Sequence, residues 1–293
     1  LSDQNRRWAV GRPQGPIPQL RVVKKDDDDI AIIDPGQWQG RKPPARQWMI
    51  EKLFVRGSVA IVSGSGGIGK SLLVQQLCTC AVLGKPWLGL HVTRGRAVYL
   101  GCEDDEDELW RRQEDINQHY GADHADVGDA GLSLVPRVGL NNTLSYVDRA
   151  SWTMQVTPLF DRVVLRCLDL GVSYVVIDTL AQTFRGNMND PQHAVQFISQ
   201  LRRLAMALVG LVILIMHPSL SGRSSGTGEA GNTQWDAAVR SRLYLHKDKV
   251  GDGLVLEHMK GNYAAKADAI PLVWRQGVYV RPTPPEPPRY YND

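Results

Sequence analysis

Long apolar runs are missing from this chain. No stretch approaches the eighteen or so consecutive apolar residues of a membrane-spanning helix, and the opening Leu1-Ser2-Asp3-Gln4-Asn5-Arg6-Arg7-Trp8 lacks the apolar core of a signal peptide. No membrane partner is expected, and the expected compartment is the cytoplasm. The chain starts without methionine, as a fragment or a processed chain would. Cysteine is scarce too: Cys78, Cys80, Cys102 and Cys167 all fall in apolar runs, where cysteine acts as a small buried hydrophobe. Cys78 and Cys80 stand two apart on an expected helix and point in different directions, which argues against a metal or redox pair. Charge of one sign is also in short supply, with a net of only +3. Any nucleic-acid surface must therefore be local, a loop or a channel wall. What remains, 293 residues of which 43% are apolar and 22% charged, is the make-up of one large α/β domain or at most two small ones.

The strongest positive feature is a short apolar run, Val59-Ala60-Ile61-Val62, leading into Gly64-Ser65-Gly66-Gly67-Ile68-Gly69-Lys70-Ser71. This is the G-x-x-x-x-G-K-S spacing of a phosphate-binding loop. A loop that wraps a polyphosphate turns backbone N–H groups inward and takes positive φ, which glycine adopts without steric cost. Lys70 would meet the β- and γ-phosphates, and the Ser71 hydroxyl would coordinate Mg²⁺. The mostly apolar segment Leu72 to Leu83, closed by Gly84, reads as a helix whose N-terminus faces the same anion.

Further apolar runs end in chemistry-bearing residues. Arg96 to Cys102 reads as a second buried strand, and Glu103 at its end is the candidate general base for an attacking water. Asp104 and Asp105, at the start of an acidic run, suit a helix cap and first turn. Leu132-Ser133-Leu134-Val135 is an expected short strand within a polar stretch, and Pro158 to Leu170 a covering helix. Val172 to Thr179 is a β-branched run whose terminal Asp178 would hold Mg²⁺ through water beside Ser71. A helix over His193 to Leu208, with Val195, Ile198, Leu201, Leu204, Ala205 and Leu208 on its apolar face, precedes the strand Gly210 to His217. His217 ends that strand at the same edge, where it could bond the γ-phosphate and report hydrolysis. The following segment, Pro218 to Thr233, is long, rich in small residues and poor in apolar anchors, hence a mobile loop suited to a phosphate backbone. Short strands at 242–245, 254–260, 270–274 and 278–280 then alternate with glycine turns.

Residues 1–33, with Pro13, Pro16, Pro18 and the run Lys24 to Asp29, read as a flexible arm, or one that docks on a neighbouring subunit. Residues 34–281 make the catalytic domain and the proline-rich 282–293 a tail. In the lead-in, Arg46 or Trp48 either lies near a nucleotide base or packs on the sheet edge.

The order of these motifs resembles the RecA-like P-loop NTPase core: α/β, a mostly parallel central sheet flanked by helices, with C-terminal antiparallel strands. More closely it resembles the RepA-type hexameric replicative helicases of plasmids and phages, relatives of DnaB, through Gly64 to Ser71, Tyr99 to Asp104, Val176 to Leu180, Ile215 to Ser219 and Trp235 to Leu245. The resemblance implies ATP and Mg²⁺ as cofactors, a ring of subunits, most often hexameric, and translocation on single-stranded DNA. It implies an arginine acting on the neighbour's ATP, carried over to Arg240 with Arg242 as the alternative, and channel loops at Arg185 to Asp190 and Pro218 to Asn232. DnaB-type helicases also carry an arginine two residues after a lysine that matches Lys260; here that position is Asn262. A recombination mediator with the same core, or a regulatory ring ATPase acting on protein partners, stays open beside the helicase.

Overall fold

The centre of the fold is a sheet whose strands come from distant parts of the sequence, as shown by a computed structural model that describes residues 30, 32–249, 251 and 253–282. The chain divides into two units, 1–44 and 45–293. In the first, Asp34 accepts the Gly36 N–H at 2.8 Å and caps a 3-10 turn over Pro35–Trp38. The expected arm and proline-rich tail lie almost wholly outside the described residues.

The second unit opens with a small hairpin, β1 (Trp48–Ile50) and β2 (Phe54–Val55), before β3 (Ser58–Gly64) and α1 (Lys70–Leu83). There follow β4 (Ala97–Gly101), α2 (Glu106–Tyr120), α3 (His124–Asp129), β5 (Leu132–Pro136), β6 (Ser145–Val147), β7 (Met154–Val156) and α4 (Pro158–Asp169). Next come β8 (Tyr174–Asp178), α5 (Leu180–Thr183), β9 (Phe184–Arg185), α6 (Pro191–Ala207) and β10 (Leu211–Met216). Two short helices, α7 (Leu220–Ser224) and α8 (Gln234–Ala238), lead to β11 (Ser241–Lys247), β12 (Leu254–Gly261), β13 (Ile270–Arg275) and β14 (Val278–Val280).

Nine strands form the main sheet in the order β5-β4-β8-β10-β3-β11-β12-β13-β14. The six from β5 to β11 are parallel, and the last three are added antiparallel. Strands β3, β4, β8 and β10 are buried at every position, which is why they read as unbroken apolar runs. This is the α/β P-loop NTPase architecture expected from the sequence.

Helix ends follow the side chains available. Asp105 caps α2 by accepting Glu108 N, Thr157 caps α4 ahead of Pro158, and Asp190 caps α6 ahead of Pro191. Helix α6 begins at Pro191, and its inner face is Ala194, Phe197, Ile198, Leu201, Leu204 and Ala205, whereas Val195, expected on that face, is exposed. The covering contact of α1 on α2 is polar at its centre. Gln75 donates to Leu109 O (3.0 Å) and Gln113 Oε1 (3.1 Å), and Gln113 donates to Thr79 Oγ1 (3.0 Å) and Asn117 Oδ1 (2.8 Å). A buried amide network with its donors satisfied fixes how two helices sit, where apolar contact alone would let them slide.

The segment 218–233, expected to be loose, is held down by its backbone. Ser219 N and Oγ both donate to Glu229 O, Gly228 N donates to Gly222 O, and Ala230 is buried. Asn232 Nδ2 and Trp235 Nε1 converge on Met188 O at 2.7 and 3.0 Å. Small residues anchor a loop here through close backbone approach, a signal that hydropathy does not carry.

Candidate active site

Parallel strands that end together place their following residues along one edge. At this edge the loop after β3 meets the residues after β4, β8 and β10, and they line a cleft of about 310 Å³ with Gly67, Gly69, Lys70, Ser71, Glu103, Asp104, Asp178, Thr179 and His217 on its walls. Lys70 and Ser71 open α1, whose N-cap Gly69 has φ +94°. A β-carbon on Gly69 would sit 2.1 Å from the Tyr279 hydroxyl, so glycine is required there on two counts. Gly64 is similarly confined: an added β-carbon would lie 2.7 Å from Leu245 O.

The lysine is 4% exposed, and its Nζ donates to Ser65 O at 2.8 Å and lies 3.3 Å from His217 Nδ1. Burial lowers its pKa, while Asp178 and Glu103 favour its charged form. The histidine after β10 therefore stands beside the phosphate-loop lysine on the wall of the cleft.

Asp178 is 1% exposed. Its Oδ2 accepts the Tyr99 hydroxyl, while its Oδ1 is buried with no hydrogen-bond partner among the described residues. Burial raises its pKa, opposed by the hydroxyls of Ser71 and Tyr99. A buried carboxylate oxygen left without a donor, with a serine hydroxyl beside it, fits a hydrated Mg²⁺. Among the described residues no group of three or more His, Cys, Asp or Glu could hold a metal, so a cation here would depend on Ser71, Asp178, water and phosphate oxygens. Such a sparse protein set is usual for Mg²⁺ in phosphoryl chemistry.

Glu103 accepts a hydrogen bond from Thr179 Oγ1 at 3.0 Å, and Cys102 N donates to Asp178 O at 2.7 Å across a cis Asp178–Thr179 peptide. Asp104 departs from its expected role: it faces the cleft and takes Arg112 Nη1 at 2.6 Å, and Asp105 alone caps the helix. Sequence reasoning missed Arg112, which brings a second positive charge to the cleft wall, pinned by Asp104 and Glu108. It also missed Tyr99, Thr179 and Tyr279. Tyr279 donates from its hydroxyl to Ile68 O at 3.1 Å, and Gln76 bonds both its N–H and its carbonyl. The last strand is thus clamped to the phosphate loop. A wider groove of about 670 Å³ runs along α2 past Trp110, but none of its described lining residues comes from the phosphate loop.

Arg240 is not brought to this cleft. It precedes β11, whose Ser241 pairs with Ala60 and Leu245 with Gly64, so it lies at the opposite edge of the sheet, roughly 16 Å along β3 from the phosphate loop at ~3.3 Å per residue. Its side chain is exposed and makes no ion pair among the described residues. Arg242, the alternative, is 4% exposed, lies 3.0 Å from Asp236 Oδ1 and donates to Thr227 O. Lys260 is also engaged, donating to the Asp236 and Ala237 carbonyls. Arg46 and Trp48 sit at this same far edge, Arg46 lying 4.8 Å from the Tyr263 ring centroid, so neither approaches a nucleotide held by its own chain.

A family model for an AAA domain matches residues 32–223, well over half of the chain. The chain belongs to that family and is a P-loop ATPase. No curated protein matches it. Among the described residues no helix is long and apolar enough to cross a membrane.

Proposed function

We propose that this ATPase works as a ring, most often hexameric, that couples Mg²⁺-dependent ATP hydrolysis to movement along single-stranded DNA during phage or plasmid replication. The observation that supports the reading is Arg240: it is exposed, has no ion pair among the described residues, and lies at the sheet edge opposite its own phosphate loop, where it is free to meet a nucleotide held by another subunit. A finger supplied in trans makes turnover depend on assembly.

Within one subunit, the loop amides and Lys70 bind the β- and γ-phosphates. Ser71 and Asp178 would hold the cation, which would supply positive charge against that developing on the phosphates. Glu103 takes the proton of the attacking water, and Thr179 sets where its carboxylate points. His217, 3.3 Å from Lys70, senses whether the γ-phosphate is present. The strand it ends continues into the 218–233 segment, where Asn232 bonds Met188 O in the loop after β9, so the two segments assigned to DNA by resemblance are joined at that carbonyl.

The test is steady-state ATP hydrolysis with and without single-stranded DNA on sizing-column fractions, beside Lys70→Ala. Several-fold stimulation confined to an oligomeric peak and lost in the variant is expected. Hydrolysis indifferent to DNA in the assembled protein would refute the translocase and leave an ATPase that acts on protein partners.

A further inference from the structure

The two segments assigned to DNA hold no aromatic side chain: Arg185 to Asp190 and Pro218 to Asn232 contain no Phe, Tyr or Trp. Sequence-tolerant single-strand binding draws much of its affinity from base stacking. The nearby three-stranded sheet, in the order β7-β6-β9, supplies what these segments lack.

Its two faces differ sharply. The inner face packs on α6, where Ser145 Oγ donates to Gln200 Oε1 (2.6 Å), Gln200 Nε2 to Met154 O (3.0 Å), and Met154 N to Gln196 Oε1 (2.6 Å). Phe184 is buried against Phe197 and Trp235. The outer face carries one row across the three strands, Gln155, Tyr146 and Arg185, because Tyr146 registers with Gln155 on one side and Arg185 on the other. All three are exposed, Tyr146 by 42%. The β6–β7 turn adds Arg149 and Trp152, the latter 71% exposed.

Neighbouring strands lie about 4.8 Å apart, so the Arg185 side chain starts one strand spacing from the Tyr146 ring and reaches the phosphate of a base stacked on it. Among the described residues neither Arg149 nor Arg185 is in an ion pair. The one carboxylate in the hairpin, Asp148, is turned onto its own loop by Ser151 N (3.0 Å) and Ser151 Oγ (2.7 Å). Two cations without an ion pair among the described residues, flanking exposed rings, match a polyanion with stackable bases. A protein interface would centre on a desolvated apolar patch, which this row of Gln, Tyr and Arg does not offer.

We propose that the outer face of β7-β6-β9 binds single-stranded nucleic acid, with Tyr146 as a base-stacking platform and Arg185 and Arg149 as phosphate contacts. The inference rests on the reading that this ATPase acts on single strands. The face is also tied to the cleft: Leu144 N donates to Thr183 O (2.8 Å), Thr183 Oγ1 to Thr179 O (2.9 Å), and Thr179 Oγ1 to Glu103 (3.0 Å).

Fluorescence anisotropy of a labelled oligothymidylate, titrated with the assembled full chain, Mg²⁺ and a non-hydrolysable ATP analogue, tests the proposal. Tyr146→Ala should weaken binding about 5- to 150-fold, the range of one lost stack, and Tyr146→Phe should bind as the parent does. Arg185→Ala and Arg149→Ala should each reduce the slope of log affinity against log salt by about 0.7. Melting temperatures establish that each variant is folded. Parent-like binding by Tyr146→Ala would overturn the face while leaving the translocase reading intact. A parent protein that binds no oligothymidylate would overturn both. Dissociation of Tyr146→Ala into single subunits would make the face a contact between copies and also overturn it.

Discussion

Replacing Arg242 and Arg240 separately by alanine should break two different things. The Arg242 guanidinium is buried against Asp236, whose carboxyl is pushed up to about 6, chiefly by burial, with Arg242 and Lys260 pulling it down. Removing the arginine leaves a buried carboxylate without its partner, which costs about 3–5 kcal/mol. At about 2–4 °C per kcal/mol for a domain of this size, the melting temperature should fall by roughly 6–20 °C. The loss carries a pH signature. A carboxyl whose folded pKa lies above its unfolded value contributes stability that is present below the unfolded value, near 4, and lost as pH rises through the folded value, about 6 here. Without Arg242 that upper limit moves higher, so the deficit of Arg242→Ala should be large at about pH 8 and small at about pH 5. Arg240→Ala removes an exposed side chain and should shift stability by no more than about 0.5 kcal/mol. Its turnover in the assembled protein should instead fall by about 10³ to 10⁵. Thermal melts at both pH values and ATP hydrolysis on the same sizing-column fractions read the two effects separately. Parent-like melting of Arg242→Ala at both pH values, or parent-like turnover of assembled Arg240→Ala, would refute the assignment.

Asp178→Asn removes a charge that burial opposes, so the nucleotide-free protein should melt higher while Mg²⁺-dependent turnover drops at least about 10- to 100-fold, the scale of a disturbed metal shell; lower melting with turnover retained would contradict it. Tyr279→Phe deletes one hydrogen bond to Ile68 O, worth about 0.5–1.5 kcal/mol, and should weaken ADP binding about 2- to 10-fold by calorimetry, with an unchanged affinity counting against the clamp. Gly69→Ala forces a β-carbon against the Tyr279 hydroxyl at φ +94° and should abolish nucleotide binding measured the same way; binding at the parent level would show that the loop relaxes freely.

The cleft was legible because each of its parts follows a buried parallel strand. An apolar run that stops at Gly64, Glu103, Asp178 or His217 announces both the strand and the residue at its working end, so the motifs fell at one edge once the strands aligned. Tyr99 and Tyr279 were not legible, since a tyrosine inside an apolar run reads as core until a partner oxygen is seen. Arg112 sits in a helix full of charges, and only the fold shows that one of them turns to the cleft. Strands of two or three residues such as β6, β7 and β9 carry no periodicity, so a whole surface sheet escaped the sequence reading. Arg240 could be named from motif order but not located; its separation from its own phosphate loop follows from the register of β11 on β3.

The Tyr279 clamp also bears on how the protein is made. The phosphate loop precedes by about 200 residues the side chain that closes it, which belongs to the last described strand of the sheet, so the closed loop requires both ends of the domain. A chain ending before β14 lacks the Tyr279 bond to Ile68 O and both Gln76 contacts, so its phosphate loop should hold nucleotide more weakly than the full chain does. Nucleotide affinity should thereby report a completed sheet, with chains cut short before Tyr279 binding ATP less well than the full chain.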